Sequence, residues 1–366
     1  MLLVAIRNIL QEKGRLFISL AGVTFAIILM LILMGIYNGA VKQFTRITEE
    51  NPADLVIAQK GISDYFHGAS LLPEEVVGRV ESTPGVDKAL PMIAQQAFYE
   101  ENGKKYDIFL ASFDSNSTLG APWDVKGSLD ISGNEIILSE TLANKTGMSI
   151  GGTITLAGQD FTIRGLVPDA SSFGTNYAWV TLDTARQLAK VPAVNFMYVT
   201  LENPEEARQV ADDLSQQLPT ASVLTKAEFA DNNKAELEEV FLPIIGAIVG
   251  IAVIVGTAVI GLTIYTATID KIREYGVLKA IGVSNGQLFR IVAAQSLLVV
   301  LVGFGLGVLF SLALGPLLKD SIGIPPVITG AAVAGTAGLS AVMGVVAAFV
   351  PLRRIVKIDP AEVFKS

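Results

Sequence analysis

Four stretches of this 366-residue chain carry no formal charge over lengths that match the hydrocarbon core of a bilayer. Phe17 to Tyr37 is a run of 21 residues and Val240 to Ile269 a run of 30, and Ile291 to Leu318 and Pro326 to Val350 are similarly apolar. An α-helix rises about 1.5 Å per residue, so about 20 residues cross a hydrocarbon layer about 30 Å thick. Inside lipid every backbone N–H and C=O must find a partner within the chain, and a helix provides this within one segment. Four transmembrane helices are therefore expected, at 17–37, 240–269, 291–318 and 326–350. The second run is longer than the bilayer requires even with tilt, so it should project beyond one interface. No convincing small-residue cleavage site follows the first run, which reads as an uncleaved signal anchor. The spacings Gly246-x-x-x-Gly250 and Gly303-x-x-x-Gly307 let helices approach closely, although glycine is common in membrane helices in any case.

Charge decides the orientation. Residues 41–239 hold 29 acidic and 15 basic side chains, whereas the rest of the chain holds 6 acidic and 12 basic. Of those 12 basic residues, 11 lie in the N-terminal segment, the loop from Asp270 to Arg290 and the tail from Pro351. Lys and Arg accumulate on the cytoplasmic side of membrane proteins, so these three segments read as cytoplasmic and both termini lie inside. Residues 38–239 and the short loop Lys319 to Pro325 then fall outside. Residues 1–16 place Arg7, Lys13 and Arg15 among Leu2, Leu3, Ile6, Ile9 and Leu10, the pattern of an amphipathic helix lying on the inner face.

Residues 38–239 read as an acidic mixed α/β domain. Strand-like runs at Leu55–Ala58, Tyr106–Ala111, Thr153–Leu156, Phe161–Val167 and Phe196–Leu201 alternate with helical patterns at Pro73–Val80, Ser139–Thr146, Leu182–Leu188 and Pro204–Leu218. Two subdomains are expected: a β-α-β element from both ends of the segment and a strand-rich insertion near Val86 to Val191. The fold class is thus membrane α-helical, with four transmembrane helices and a mixed α/β extracytoplasmic domain inserted between helices 1 and 2.

The residue inventory narrows the chemistry. Cysteine is absent and His67 is the sole histidine, which excludes disulfides, thiolate zinc sites, cysteine nucleophiles and two-histidine metal motifs. A lone histidine in an external loop is more often a plain surface residue than a ligand for metal or haem. No phosphate loop and no dinucleotide fingerprint occurs, so the chain does not bind ATP or a dinucleotide by those devices and its energy must come from elsewhere. Asn116-Ser-Thr118 and Asn144-Lys-Thr146 match the glycosylation acceptor pattern, a tripeptide that often arises by chance.

The stretch Thr266 to Gly286 (TATIDKIREYGVLKAIGVSNG) follows the second span on the cytoplasmic side and mixes charge with an apolar face. Ile272, Val277, Ala280 and Ile281 can share one helical side while Lys271, Arg273, Glu274 and Lys279 stay in water. Such a segment can be a docking helix or a snorkelling anchor. Gly282-Val-Ser284-Asn-Gly286 matches the nucleophile-elbow pattern, but that elbow requires a preceding strand and a nearby base. Ser284 instead stands three residues before Gln287, the capping-box spacing. Asp359-Pro360-Ala361-Glu362 in the tail repeats that logic as a helix start.

With these residues in place, the chain resembles permeases of the MacB/FtsX/LolE superfamily, the type VII ABC transporters, over essentially its whole length. The order of spans and external domain matches. KIREYGVLKAIGVSNGQL resembles the family's E-x-G-x-L-x-A-x-G coupling segment, and PLRRIVKIDPAE resembles its terminal pattern, with Phe364 in place of the usual leucine. The external run IILSETLANKTGMSIGGTITLAGQDFTIRGLV is also similar to the family's external domain. Gln295, where many members carry glutamate, together with Tyr265, Thr268, Lys271 and the LKAIG run, leans towards the HrtB and DevC branch, whose members export haem or glycolipid.

The resemblance implies a non-enzymatic permease subunit that works as a homodimer with two copies of a separate cytoplasmic ABC ATPase. ATP and Mg would be held by that partner and no cofactor by this chain. It leaves room for a periplasmic adaptor, with lipid as the surrounding medium and no nucleic acid as partner. Coupling to the ATPase falls on Lys271, Arg273, Glu274, Gly276, Leu278, Lys279 and Gly282. Position at the outer ends of the first two spans makes Tyr37, Phe44, Glu236, Glu239 and Phe241 the candidate cargo-lining residues, although aromatic anchors and solvated glutamates fit the same positions. The expected activity is extrusion of a hydrophobic or amphipathic cargo (haem, lipid, drug or peptide) by mechanotransmission. The alternative is an FtsX-like signalling protein that regulates an external cell-wall hydrolase and transports nothing.

Overall fold

The computed structural model describes residues 13–65, 70–115, 117–172, 174–189 and 193–356. The first helix, α1, runs Lys13–Glu49 without a break, 37 residues that contain no proline. The chain then enters a region of short elements: β1 (Leu55–Gln59), β2 (Leu72–Pro73), α2 (Val76–Glu81), β3 (Val86–Met92), β4 (Ala94–Glu101), β5 (Lys104–Phe113), β6 (Lys126–Gly127) and β7 (Glu135–Ser139). It continues through α3 (Glu140–Thr146), β8 (Thr153–Leu156), β9 (Gln159–Val167), β10 (Ser171–Ser172), β11 (Thr175–Thr181) and α4 (Leu182–Ala189). The region closes with β12 (Ala193–Val194), β13 (Phe196–Leu201), a 3-10 turn at Pro204–Glu206, α5 (Ala207–Gln217) and β14 (Ala221–Thr225). Four helices follow: α6 (Lys226–Asp270), α7 (Ile272–Ala280), α8 (Asn285–Ile322) and α9 (Gly330–Val356). Of these elements α1, α6, α8 and α9 are long and apolar enough to cross a membrane.

The residues form two compact units, one helical (through Gly39, then 241–320 and from Pro325) and one mixed α/β (Ala40–Val240 with Ser321–Ile324). In the helical unit the inner seam is built from Val23, Ile27 and Leu31 of α1, Ile260 of α6, Val292 of α8 and Ala347 of α9, all fully buried. The outer faces carry Ile254, Leu262, Leu301, Leu309 and Val342, more than half exposed, as suits side chains that meet lipid. Gly303 and Gly307 bring α8 against α1: a Cβ at either position would lie 2.7 Å from Val23 and 2.5 Å from Ile27 respectively. Gly246 and Gly250, with the same spacing, meet nothing within 4 Å. Only one of the two small-residue spacings is therefore a packing seam within this chain. Several hydroxyls inside the helices bond to the carbonyl of the preceding turn, as Thr257 does to Val253 O (2.6 Å) and Thr268 to Ile264 O (2.7 Å).

The α/β unit holds two main sheets. The smaller, ordered β14-β1-β13-β3, is antiparallel throughout and draws its strands from both ends of the segment. The larger, ordered β4-β5-β11-β7-β9-β6, is mixed, with parallel pairing of β5 with β11 and of β7 with β9. Val86–Met92, which lies near the expected start of the insertion, pairs with β13 and so completes the smaller sheet. Its alternation alone does not reveal which sheet takes it. At β7 the chain turns directly into α3, with Ser139 Oγ accepting from Leu142 N as the N-cap. The β4–β5 hairpin turns on Asn102 and Gly103, both at positive φ, the geometry that an Asn-Gly pair favours.

Candidate functional site

The charged segment after α6 folds into a short helix held at both ends by its own backbone chemistry. α6 ends at Asp270, and Lys271 breaks the helix at φ −105°, ψ 20° before α7 begins. At the far end Gly282 N donates to Lys279 O (3.0 Å) and Val283 N to Leu278 O (3.0 Å), the paired bonds of a Schellman turn. Gly282 stands at φ +95°, where a side chain is strained, so the glycine is required by the turn itself. Two residues later Ser284 and Gln287 cap each other: Gln287 N donates to Ser284 Oγ (3.3 Å) and Ser284 N to Gln287 Oε1 (2.9 Å). The reciprocal capping box expected from the spacing is present, and it starts α8.

The faces of α7 differ from expectation. Tyr275 and Gly276 are buried and Leu278 partly so, whereas Val277 is 44% and Ile281 73% exposed. Arg273, Glu274 and Ala280 are exposed on the same side as Val277 and Ile281. Val277, Ala280 and Ile281 share one face, but it points to solvent, whereas Ile272, expected beside them, is half-buried on the side where Tyr275 takes the inward position. Lys271 and Lys279 are half-buried. Tyr275 is 4% exposed and hydrogen-bonded to the side chain of Gln295 on α8. Burial pushes its phenol up from the usual range, and the bond to Gln295 pulls the other way. Arg15 at the start of α1 is ion-paired with Asp270 at the end of α6. Tyr275 was not among the expected coupling residues, although it is the single aromatic residue in the segment and that signal could have marked it as an anchor.

The candidate cargo-lining residues are more scattered. In the helical unit Tyr37 and Phe241 are half-buried. In the α/β unit Glu236 is half-buried, Glu239 exposed and Phe44 buried. Phe44 lines a cavity of about 100 Å³ with Tyr65, Phe109, Ser172 and Tyr177. Tyr65 meets Phe229 and Phe196 edge-on at 4.8 and 5.0 Å, and its hydroxyl lies 2.6 Å from that of Tyr198. Burial raises the Tyr65 phenol to about 12 and also raises those of Tyr177 and Tyr198, so all three are neutral at physiological pH. These tyrosines come from separate segments, and no local pattern announces that they meet. Nearby, the Arg46 guanidinium stacks 5.0 Å over Trp123 and binds Asp124 at 2.7 Å.

Among the described residues no group of three His, Asp or Glu side chains could hold a metal ion. His67, Asn116, the tail motif Asp359 to Glu362, Phe364 and most of the expected inner-face helix lie outside the described residues.

The MacB-like periplasmic core domain family matches residues 16–217, and the FtsX-like permease C-terminal family matches residues 246–360. The chain belongs to the MacB/FtsX-like permease superfamily. An uncharacterized ABC transporter permease of Mycobacterium tuberculosis, Rv2563, is 23% identical over 370 residues, covering 100% of this chain and 99% of the relative. A permease of Methanocaldococcus jannaschii, MJ1507, also uncharacterized, is 20% identical over 390 residues, covering 99% and 96%. The periplasmic region of MacB from Actinobacillus actinomycetemcomitans superposes with a TM-score of 0.38 at 12% identity, covering 54% of this chain and 98% of that one. The extracellular domain of the noncanonic ABC-type transporter YknZ gives 0.36 at 13%, covering 47% and 98%. The assignment stands on the sequence families rather than on those superpositions. The permease is accordingly a multi-pass ABC-transporter subunit of the MacB/FtsX type.

Proposed function

We propose that the permease couples a separate cytoplasmic ABC ATPase to movement of its external domain, and that this movement extrudes a hydrophobic or amphipathic cargo such as haem, a lipid, a drug or a peptide. The observation that carries this reading is the outward face of α7. Arg273, Glu274, Val277, Ala280 and Ile281 present two charges beside an apolar patch on a helix whose ends are fixed by the Schellman turn and the capping box. A rigid, mixed face of this kind is what a partner needs for docking without a large ordering cost. Lys271, Gly276, Leu278, Lys279 and Gly282 then act by holding the helix in place. In this reading both termini and α7 are cytoplasmic in a bacterial inner membrane, and two chains pair with two ATPases. ATP-driven closure pushes on α7, and the 45-residue α6 carries the shift outward. Tyr37, Phe44, Glu236, Glu239 and Phe241 are the proposed cargo contacts. The lean towards haem or glycolipid rests on Gln295, Tyr265, Thr268 and Lys271.

The test uses the permease co-purified with its ATPase and reconstituted into liposomes. Ile281→Glu places a charge in the apolar patch, for which a cost of about 2 kcal/mol, or about thirtyfold in ATPase affinity, is expected. Arg273→Glu should cut stimulated hydrolysis in the same direction, with membrane insertion unchanged. Wild-type affinity and stimulation in both variants would rule out docking through this face. In cells, deletion of the pair should change sensitivity to the cargo. A change in cell-wall hydrolysis with no change in sensitivity to haem, peptides or drugs would instead establish the signalling reading.

A further inference from the structure

Phe44, Tyr65, Phe109 and Tyr177 come from separate segments of the α/β unit, yet all four line one cavity of about 100 Å³. Phe109 meets Tyr65 edge-on at 6.2 Å and Tyr177 at 5.9 Å, so these three rings hold one another at fixed angles. A packed wall of this kind relaxes only partly into the space it bounds, and the void persists. Polar groups interrupt the aromatic surface at a few points. Ser172 is 4% exposed and its hydroxyl has no partner at hydrogen-bonding geometry. It stands close enough to the Tyr177 phenol to ease its ionisation, against the larger opposing effect of burial. Two neighbouring hydroxyls can together offer a donor and an acceptor to a third. Thr175 is half-buried and Gln96 exposed, so the cavity reaches solvent on their side. None of the described lining residues is charged. Arg46 and Asp64, close by in sequence, lie outside that lining, and Arg46 is engaged by Asp124 and Trp123.

We propose that this cavity binds an uncharged, single-ring aromatic group bearing a hydroxyl, with the ring among Phe44, Phe109 and Tyr177 and the hydroxyl on the Ser172–Tyr177 pair. The class follows from the lining. Aromatic walls take a flat ring edge-on or offset. A charged group would lose its hydration with no opposite charge to meet it. A hydroxyl gives the buried serine the partner it lacks. Size limits the group to one ring, since a dry cavity of about 150 Å³ accommodates benzene. At about 100 Å³ this one holds a ring only with its far edge at the open side, by Gln96 and Thr175. A porphyrin macrocycle cannot enter. The site deepens the export reading and rests on it in one respect: Phe44 is a proposed cargo contact, and the cargo it meets here is a small neutral phenol-like group rather than haem.

The test is fluorine NMR of 4-fluorophenol, fluorobenzene and 4-fluorobenzoate titrated onto the full-length permease in detergent at pH 7. The wild type should bind 4-fluorophenol about three- to tenfold more tightly than fluorobenzene, the difference one hydrogen bond makes. It should bind 4-fluorobenzoate at least about tenfold more weakly than the phenol, because the carboxylate must be desolvated. The double variant Ser172→Ala/Tyr177→Phe keeps the rings and removes both hydroxyls, so its affinity for 4-fluorophenol should fall to that for fluorobenzene. Thr175→Phe fills the open side and should abolish binding of both, and at its half-buried position it keeps the test alive if the double variant fails to fold. Partition into detergent is the same in every sample, so signals equal in the wild type and the variants, or no binding of any probe, overturn the site. Equal affinity for 4-fluorophenol and fluorobenzene in the wild type overturns the role of the hydroxyl pair, and 4-fluorobenzoate bound as tightly as the phenol overturns the uncharged class. No ATPase and no transport enter the measurement, so its failure is distinct from a failure of export.

Discussion

Gly282 belongs to the segment expected to couple with the ATPase, yet its conformation gives it a reason to be glycine that involves no partner. At φ +95° a β-carbon is strained, and about 1 kcal/mol of turn stability is expected to be lost in Gly282→Ala. Circular dichroism melting should register that loss with the ATPase absent, which separates it from the Ile281→Glu effect. A second residue-scale prediction concerns Tyr65. Its phenol is raised to about 12 in the folded state against the ordinary value near 10, so the folded form holds its proton more tightly. Stability from this group is complete below about pH 10 and is lost as the pH rises from there through about 12. Both tryptophans, Trp123 and Trp179, lie buried in the α/β unit, and their fluorescence reports its unfolding alone. Between pH 10 and 12 the wild-type transition should fall more steeply than that of Tyr65→Phe. At pH 7 the variant should be weaker by about 1 kcal/mol, because the bond to Tyr198 is gone.

At the scale of elements, the two glycine pairs make opposite predictions from the same spacing. Gly307→Ala drives a methyl into Ile27 of α1 and should destabilise the helical unit by about 1–3 kcal/mol, seen as a lower melting temperature in detergent. Gly250→Ala meets open space, so helix propensity alone acts and the change should be neutral or stabilising by up to about 1 kcal/mol. This contrast marks how far the sequence could be read. The spans were legible because a charge-free run of that length has one solution in lipid, and the Ser284 cap because its spacing is local chemistry. Thr153–Leu156 and Phe196–Leu201 were legible as strands with the observed bounds for the same local reason. The pairing of Val86–Met92 with β13 was not legible because strand pairing is decided by partners more than a hundred residues away. The rotation of α7 was missed because a nine-residue helix with apolar residues on both sides takes its orientation from whichever side chain its neighbours accept. Gln295 and the helix seam accept Tyr275, leaving Val277 and Ile281 outside.

For the whole molecule the open quantity is which side of the membrane each unit occupies, and the composition makes it unusually easy to measure. The chain contains no cysteine, so one introduced thiol is the sole target for a membrane-impermeant maleimide. Asp213, exposed on α5 in the acidic α/β unit, and Ala280, exposed on α7, serve as the two reporters. Neither forms part of a buried contact, so Asp213→Cys and Ala280→Cys should leave the fold intact. The charge partition, 11 of 12 basic residues outside the domain falling in three segments, predicts their sides through the asymmetry that orients membrane proteins. In intact spheroplasts Asp213→Cys should label fully and Ala280→Cys only after the membrane is opened. The reverse pattern would put α7 outside, away from any cytoplasmic ATPase, and the docking proposal would fail with it. Labelling of Ala280→Cys that appears on opening the membrane and is blocked when the ATPase is bound would place the partner on the face formed by Arg273, Glu274, Val277 and Ile281. It would do so at the single position on that face where a small side chain can be exchanged without touching either the charges or the large apolar groups.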